Sequence, residues 1–192
     1  MAKQEESGLK IILVLVLIAG LAAVLLAYVN KVTSGPIAEK KRQETQRAIK
    51  VVMANEAVQH PEMPEPVKQV DFPAEYFPVR NQADQPLGYA FKVEAPDGFT
   101  SAFEILVGVD TTGKIVDTYV LSHKETPGLG DGMMEEEFKK QFRGRSLDNT
   151  NWSVQKDGGD IDAITAATIT SRAFTYGAER ALRAYETLKE DQ

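Results

Sequence analysis

Residues 11–29, Ile-Ile-Leu-Val-Leu-Val-Leu-Ile-Ala-Gly-Leu-Ala-Ala-Val-Leu-Leu-Ala-Tyr-Val, run without a single charge. As a helix this run is about 28 Å long, close to the thickness of a bilayer's hydrocarbon core. It is longer than a typical signal-peptide apolar region. Tyr28-Val29-Asn30-Lys31 behind it is not a small-x-small cleavage site, so the run reads as an uncleaved signal anchor. No second apolar run approaches this length, which argues against a multi-span channel or transporter. Residues 31–192 are enough for one sizeable core.

Charge divides the remainder. The whole chain carries −6, residues 1–10 are neutral, and residues 31–50 carry +4 (Lys31, Lys40, Lys41, Arg42, Arg47 and Lys50 against Glu39 and Glu44), which leaves −10 on residues 51–192. An acidic domain repels phosphate backbones and argues against nucleic-acid binding. Cysteine is absent, which excludes disulfides, thiolate iron–sulfur ligation, cysteine zinc sites and cysteine nucleophiles within this chain. Counting Lys and Arg on both sides of the apolar run favours a cytoplasmic location for the residues C-terminal to it.

The expected organisation is a tail over residues 1–10, a transmembrane helix over 11–29, a juxtamembrane helical stalk over 30–58 and one domain over 59–192. Pro36 can occupy the first turn of a helix over 37–57, with Ala48, Ile49, Val52 and Met53 at helical spacing. This segment is either a stalk packed on the domain or a partner, or a basic helix at lipid headgroups. Six prolines between residues 60 and 86 exclude a regular helix there and predict an extended wrap. Strand-like alternation follows over 88–95, 99–109 and 114–122, with turn signals at Asp97-Gly98 and Asp110-Thr111-Thr112-Gly113, which predicts an antiparallel meander. A short amphipathic helix is expected over 133–142, a weak strand over 147–156 and a helix over 172–188. The fold class is therefore α+β: an N-terminal transmembrane helix, then a mainly antiparallel sheet flanked by helices.

Two segments could carry chemistry. His123-Lys124-Glu125-Thr126-Pro127-Gly128-Leu129-Gly130-Asp131-Gly132 lets backbone approach a ligand closely. Thr165-Ala166-Ala167-Thr168-Ile169-Thr170-Ser171 places four hydroxyls beside a helix start, where they serve either as caps or as a phosphate seat. Two histidines make an imidazole-rich metal site improbable. Asp157, Asp160 and Asp162 lack the EF-hand pattern and read as turn formers.

Taken together, the anchor, the meander, the glycine loop and Asp162-x-x-Thr165-Ala166-Ala167-Thr168 strongly resemble the FMN-binding domain of the G subunit of the Rnf ion-translocating electron-transport complex. The C subunit of the sodium-translocating NADH:quinone oxidoreductase is similar. The family's attachment pattern is Asp-x-x-(Ser/Thr)-Gly-Ala-(Thr/Ser). Asp162, Thr165, Ala167 and Thr168 match it, while Ala166 replaces the commoner glycine, a departure that matters only if that residue needs a positive φ.

The resemblance implies that Thr168 carries FMN through a phosphoester, formed by a flavin transferase that uses FAD and releases AMP. It also implies that Glu125, Thr126 and Leu129 line the flavin ring, and that Gly130, Thr165, Ala166, Ala167, Ile169 and Thr170 complete the cofactor site. Arg172 is a candidate to neutralise the phosphate. The implied protein is a membrane-anchored electron-carrier subunit of a complex coupling ferredoxin and NAD electron transfer to ion translocation. Membrane lipid and the complex's other membrane and peripheral subunits are its implied partners. Its domain would then lie outside the cytoplasmic membrane, against the charge count. The alternatives are the equivalent subunit of a sodium-translocating NADH:quinone oxidoreductase and a non-redox, membrane-tethered binding or assembly module.

Overall fold

The computed structural model describes residues 2–54, 58–60 and 63–190. Contacts divide the chain into two units, Met1–Gln43 and Glu44–Gln192. In the first unit, the anchor run lies within helix α1 (Ala2–Val52) and is exposed throughout. It is the one helix among the described residues long and apolar enough to cross a membrane.

The expected break at Pro36 does not occur. The proline lies inside α1, which runs to Val52; residues 55–57 of the expected helix lie outside the described residues. A proline forfeits one backbone bond, to the carbonyl four residues earlier, but its fixed φ is helical. Beside it Thr33 Oγ1 donates to the Val29 carbonyl at 2.8 Å and Ser34 Oγ to that of Lys31 at 3.3 Å.

The second unit is built on a five-stranded antiparallel meander in sequence order: β1 (Glu65–Pro66), β2 (Ala74–Arg80), β3 (Pro86–Ala95), β4 (Phe103–Asp110) and β5 (Ile115–Ser122). Alternation sorts the side chains between two faces. Phe91, Val93, Phe103, Ile105, Val107 and Val109 face the larger core, which is completed by Phe174, Ala178, Ala181 and Leu182 of α3 (Thr168–Glu190). Phe77, Val79, Ala90 and Leu106 face the other way, onto Ala48, Ile49, Val52 and Met53 from the end of α1 and the turn after it. The sheet is thus covered on both sides, so every β4 residue from Ile105 to Val109 is buried. Of the two readings of the stalk, its last turns realise packing on the domain.

Several local expectations are corrected. The proline-rich wrap contains a strand, β2, with Pro78 opposite Tyr89. β1 pairs only with Glu75 and Tyr76, so Pro78 sits where one side of the strand is an edge and needs no ladder N–H. Strand β4 begins at Phe103, which leaves Phe99 in the preceding turn. The segment 133–142 is not one helix but a 3₁₀ turn (Gly130–Met134), the single turn α2 (Glu136–Lys139) and a further 3₁₀ turn (Lys140–Phe142). The first break comes at Glu135, whose backbone is extended (φ −70°, ψ 143°). The expected strand over 147–156 is a polar loop with one bridge, Val154 to Ile161, and a 3₁₀ turn at Gln155–Asp157. There side chains take the backbone groups a ladder would use: Asn149 Oδ1 accepts from Ser146 N–H and Asp160 Oδ2 from Asn151 N–H. Finally, α3 starts four residues before the expected Arg172, at Thr168.

At Gly108 in β4 the end of α1 meets the sheet closely. A Cβ added there would lie 2.1 Å from the Val52 carbonyl oxygen. Backbone opposes backbone, so neither side can yield by changing rotamer. Gly108→Ala should destabilise the domain by about 1–3 kcal/mol, the usual cost of overpacking. Thermal unfolding of the purified chain checks this; an unchanged melting temperature would show that the α1 end does not clamp the sheet.

Candidate functional site

Three segments far apart in sequence enclose one cavity of about 280 Å³: the turn after β3, the glycine loop after β5, and the start of α3. Of the ten residues singled out from the sequence, nine line it: Glu125, Thr126, Leu129, Gly130, Ala166, Ala167, Thr168, Ile169 and Thr170. Thr165 does not. It lines a separate hollow with Asp162, Ile164 and Gln141. Asp162 is fixed there through its backbone: its N–H donates to Gln141 Oε1 at 2.8 Å and its carbonyl accepts from Gln141 Nε2 at 3.2 Å.

Glu125 holds the cavity together. It is 5% exposed. Its Oε1 accepts from the Thr100 backbone N–H at 3.0 Å, and its Oε2 accepts from Thr170 Oγ1 at 2.6 Å. The residue's own N–H donates to His123 Nδ1 at 3.3 Å. A Cβ on Gly130 would lie 2.5 Å from Glu125 Oε2 and 2.9 Å from Thr170 Oγ1. The glycine therefore leaves room for that carboxylate–hydroxyl pair.

The four hydroxyls have separate tasks. Ser171 organises the helix start, with Oγ donating to the Ala167 carbonyl and accepting from Ile164 N–H, both at 2.9 Å. Thr170 is committed to Glu125. Thr165 belongs to the second hollow. Thr168 lines the cavity as the first residue of α3. The α3 ladder begins with Ser171 N–H donating to the Ala167 carbonyl. The N–H groups of Thr168, Ile169 and Thr170 therefore precede it, at the positive end of the helix dipole.

Two residues were missed in the sequence. Phe99 supplies apolar wall to the cavity and is 66% exposed. Its parity had assigned it to a strand that starts four residues later. Lys156 donates from Nζ to Thr168 Oγ1 at 3.3 Å. Nothing in the spacing of Val-Gln-Lys-Asp-Gly-Gly marks that lysine in advance. Arg172, the candidate to neutralise the phosphate, is held in an ion pair: Nε and Nη2 donate to the two Asp157 carboxylate oxygens at 2.6 and 2.8 Å. That pairing lowers the Asp157 pKa below its ordinary value, chiefly through the hydrogen bond from Arg172.

Residues 98–183 match the model of the FMN-binding domain family. This span includes every residue that lines the cavity. A relative from Salmonella typhi, described as the G subunit of an ion-translocating oxidoreductase complex, is 34% identical over 168 residues, covering 82% of this chain and 81% of the relative. The chain belongs to the family of ion-translocating oxidoreductase complex G subunits. Other members match more closely over a shorter span: the protein of Aliivibrio fischeri is 42% identical over 109 residues and that of Escherichia coli strain K12 is 40% identical over 108. In these matches the chain spans about half the length of the curated relatives, 52% in each of the two. The crystal structure of Shewanella oneidensis NqrC shares the fold, with a TM-score of 0.60 at 17% identity, covering 79% of this chain and 99% of that one.

Ala166, the one departure from the motif that the sequence resembles, has a φ of +62°. The left-handed region costs a side-chain-bearing residue roughly 1–2 kcal/mol, partly offset by the lower chain entropy of the unfolded alanine form. Ala166→Gly should therefore stabilise the domain by about 0.5–1 kcal/mol. A raised melting temperature is expected; a lowered one would show that the loop carries no strain at Ala166.

Proposed function

We propose that this chain is a membrane-anchored flavoprotein subunit that relays electrons within an ion-translocating oxidoreductase complex, with FMN joined to Thr168. The observation that carries the reading is convergence. The glycine loop and the threonine-rich turn meet across one cavity, with Thr168 among the residues of its wall at the N-terminus of α3.

The lining fits the group. Phe99, Leu129 and Ile169 are large apolar side chains left 66%, 41% and 45% exposed, a wall suited to a planar aromatic ring. The cavity is near the lower end of ligand-site volumes, so it would leave a flavin ring partly in solvent for exchange with partner centres. Helix-start N–H groups favour phosphate. FMN, when bound, supplies reversible acceptance and release of electrons. Attachment makes one bond, Thr168 Oγ1 to the flavin phosphorus, and breaks one, the pyrophosphate linkage of FAD. AMP leaves with the bridging oxygen and its electron pair, and the hydroxyl proton passes to solvent or to a base of the flavin transferase. The ester prevents loss of a cofactor held in a shallow site. Glu125 fixes the floor through Thr100 and Thr170, while Thr126, Gly130, Ala166 and Ala167 bring short side chains or bare backbone to the wall. We propose ferredoxin and NAD as the electron partners of the complex, reached through its other subunits.

Thr168→Ala should abolish flavin fluorescence that survives denaturing electrophoresis while leaving the melting temperature near the wild-type value. Thr165→Val should retain it, because Thr165 lines the other hollow. Undiminished denaturation-resistant flavin in Thr168→Ala would refute attachment at this residue.

We place the domain on the extracytoplasmic side. Folded domains translocate largely regardless of charge, which limits the weight of the basic residues at 31–50. The chain has no cysteine and Met63 is 70% exposed, so Met63→Cys provides a single reactive position. A membrane-impermeant maleimide added to intact spheroplasts should label it. Labelling only after membrane rupture would put the domain in the cytoplasm.

A further inference from the structure

We propose that Lys156 is a positioning residue for the Thr168 phosphoester: its ammonium orients the Thr168 hydroxyl before attachment and compensates the phosphodiester charge afterwards. The inference rests on the reading of Thr168 as the attachment residue, and it assigns a role to a side chain outside the attachment pattern.

The placement of Lys156 is fixed by the chain around it. It is the middle residue of the 3₁₀ turn Gln155–Asp157, which ends at Gly158 with φ +84°. The turn is closed by Asp157 N–H to the Val154 carbonyl at 2.8 Å, and Gln155 N–H reaches the Ile161 carbonyl at 2.8 Å. The next residue, Asp157, is held bidentate by Arg172 from the second turn of α3. This ion pair docks the turn onto the helix start and sets the lysine beside Thr168, twelve residues further along the chain.

Its contact adds little to stability. Lys156 is exposed, and ordering a lysine side chain at the surface sacrifices rotamer entropy for little net stability. Among the described residues Lys156 makes no carboxylate ion pair, whereas neighbouring Arg172 is balanced by Asp157. What the contact does accomplish is chemical. An ammonium has donors only, so it occupies one lone pair of Oγ1, leaving the hydroxyl proton and the other lone pair for the cavity side. Once Oγ1 is esterified, the phosphodiester carries one negative charge, and the same ammonium lies within reach of it. A charge-assisted bond of that kind is roughly twice as strong as a neutral one. Arg172 cannot substitute without releasing Asp157.

The test uses the full chain in detergent with purified flavin transferase, magnesium and FAD, following the rate of mass gain at Thr168 by intact-protein mass spectrometry. Lys156→Gln should slow attachment on the order of ten- to a hundredfold, the loss associated with one hydrogen bond from a charged group. Lys156→Arg should restore the rate to within about threefold, because it keeps the charge and the donor. Melting temperatures of both unmodified variants should match the wild type, which separates positioning from folding. Wild-type rate in Lys156→Gln, with the wild-type chain modified at Thr168, overturns this inference alone. So does equal slowing in both variants, since charge would then be irrelevant. A wild-type chain that gains no flavin at Thr168 overturns the attachment reading and this inference together.

Discussion

Burying a carboxylate is costly unless its oxygens find donors. Glu125 meets that requirement with two donors from different parts of the chain, the Thr100 N–H in the turn after β3 and the Thr170 hydroxyl in the first turn of α3. Because Glu125 itself lies in the loop after β5, one side chain fastens all three segments that enclose the cavity. Remove either donor and a charge is left buried and underserved, so the three segments hold one geometry rather than several. Gly130 follows from the same constraint, since any side chain there would displace the pair.

The rest of the domain keeps those segments within reach of each other. The meander places the β3–β4 turn and the end of β5 at the same end of the sheet, while α3 packs across the sheet's larger core with its N-terminus there. The end of α1 covers the opposite face. A sheet buried on both faces is stiff, which suits a site built mostly on connections. Apolar side chains at the cavity rim are exposed, but their backbone is tied at both ends to regular structure.

Much of this was legible in the residues. Period-two alternation marked β3 and β4, because each has one parity committed to the larger core; β5 changes parity at the irregular register opposite Gly108 and Val109, so Ile115 and Val120 both reach that core. The helix over 172–188 was equally plain, and so were the two motifs that meet at the cavity. Strand β2 was hidden by Pro78, whose missing N–H is harmless only because β1 stops short of it, a fact of pairing and not of composition. The true start of α3 was obscured because Thr and Ser favour caps over helix interiors, yet here Ser171 does the organising and Thr168 already lies in the helix. Lys156 and Arg172 show the same limit for the site. Which of two nearby cations is free depends on Asp157, and the ion pair it forms spans fifteen residues of loop and helix.

Covalent attachment suits a site of this form: walls on loops, an open rim, and a hydroxyl held at a helix start. The most direct measurement is proteolytic peptide mapping of the chain purified from its native membrane and denatured before digestion. If Thr168 carries the cofactor, the peptide containing it is yellow, and fragmentation places on Thr168 a mass gain equal to FMN less one water. Flavin released wholly by denaturation, with the Thr168 peptide recovered at its unmodified mass, would contradict it.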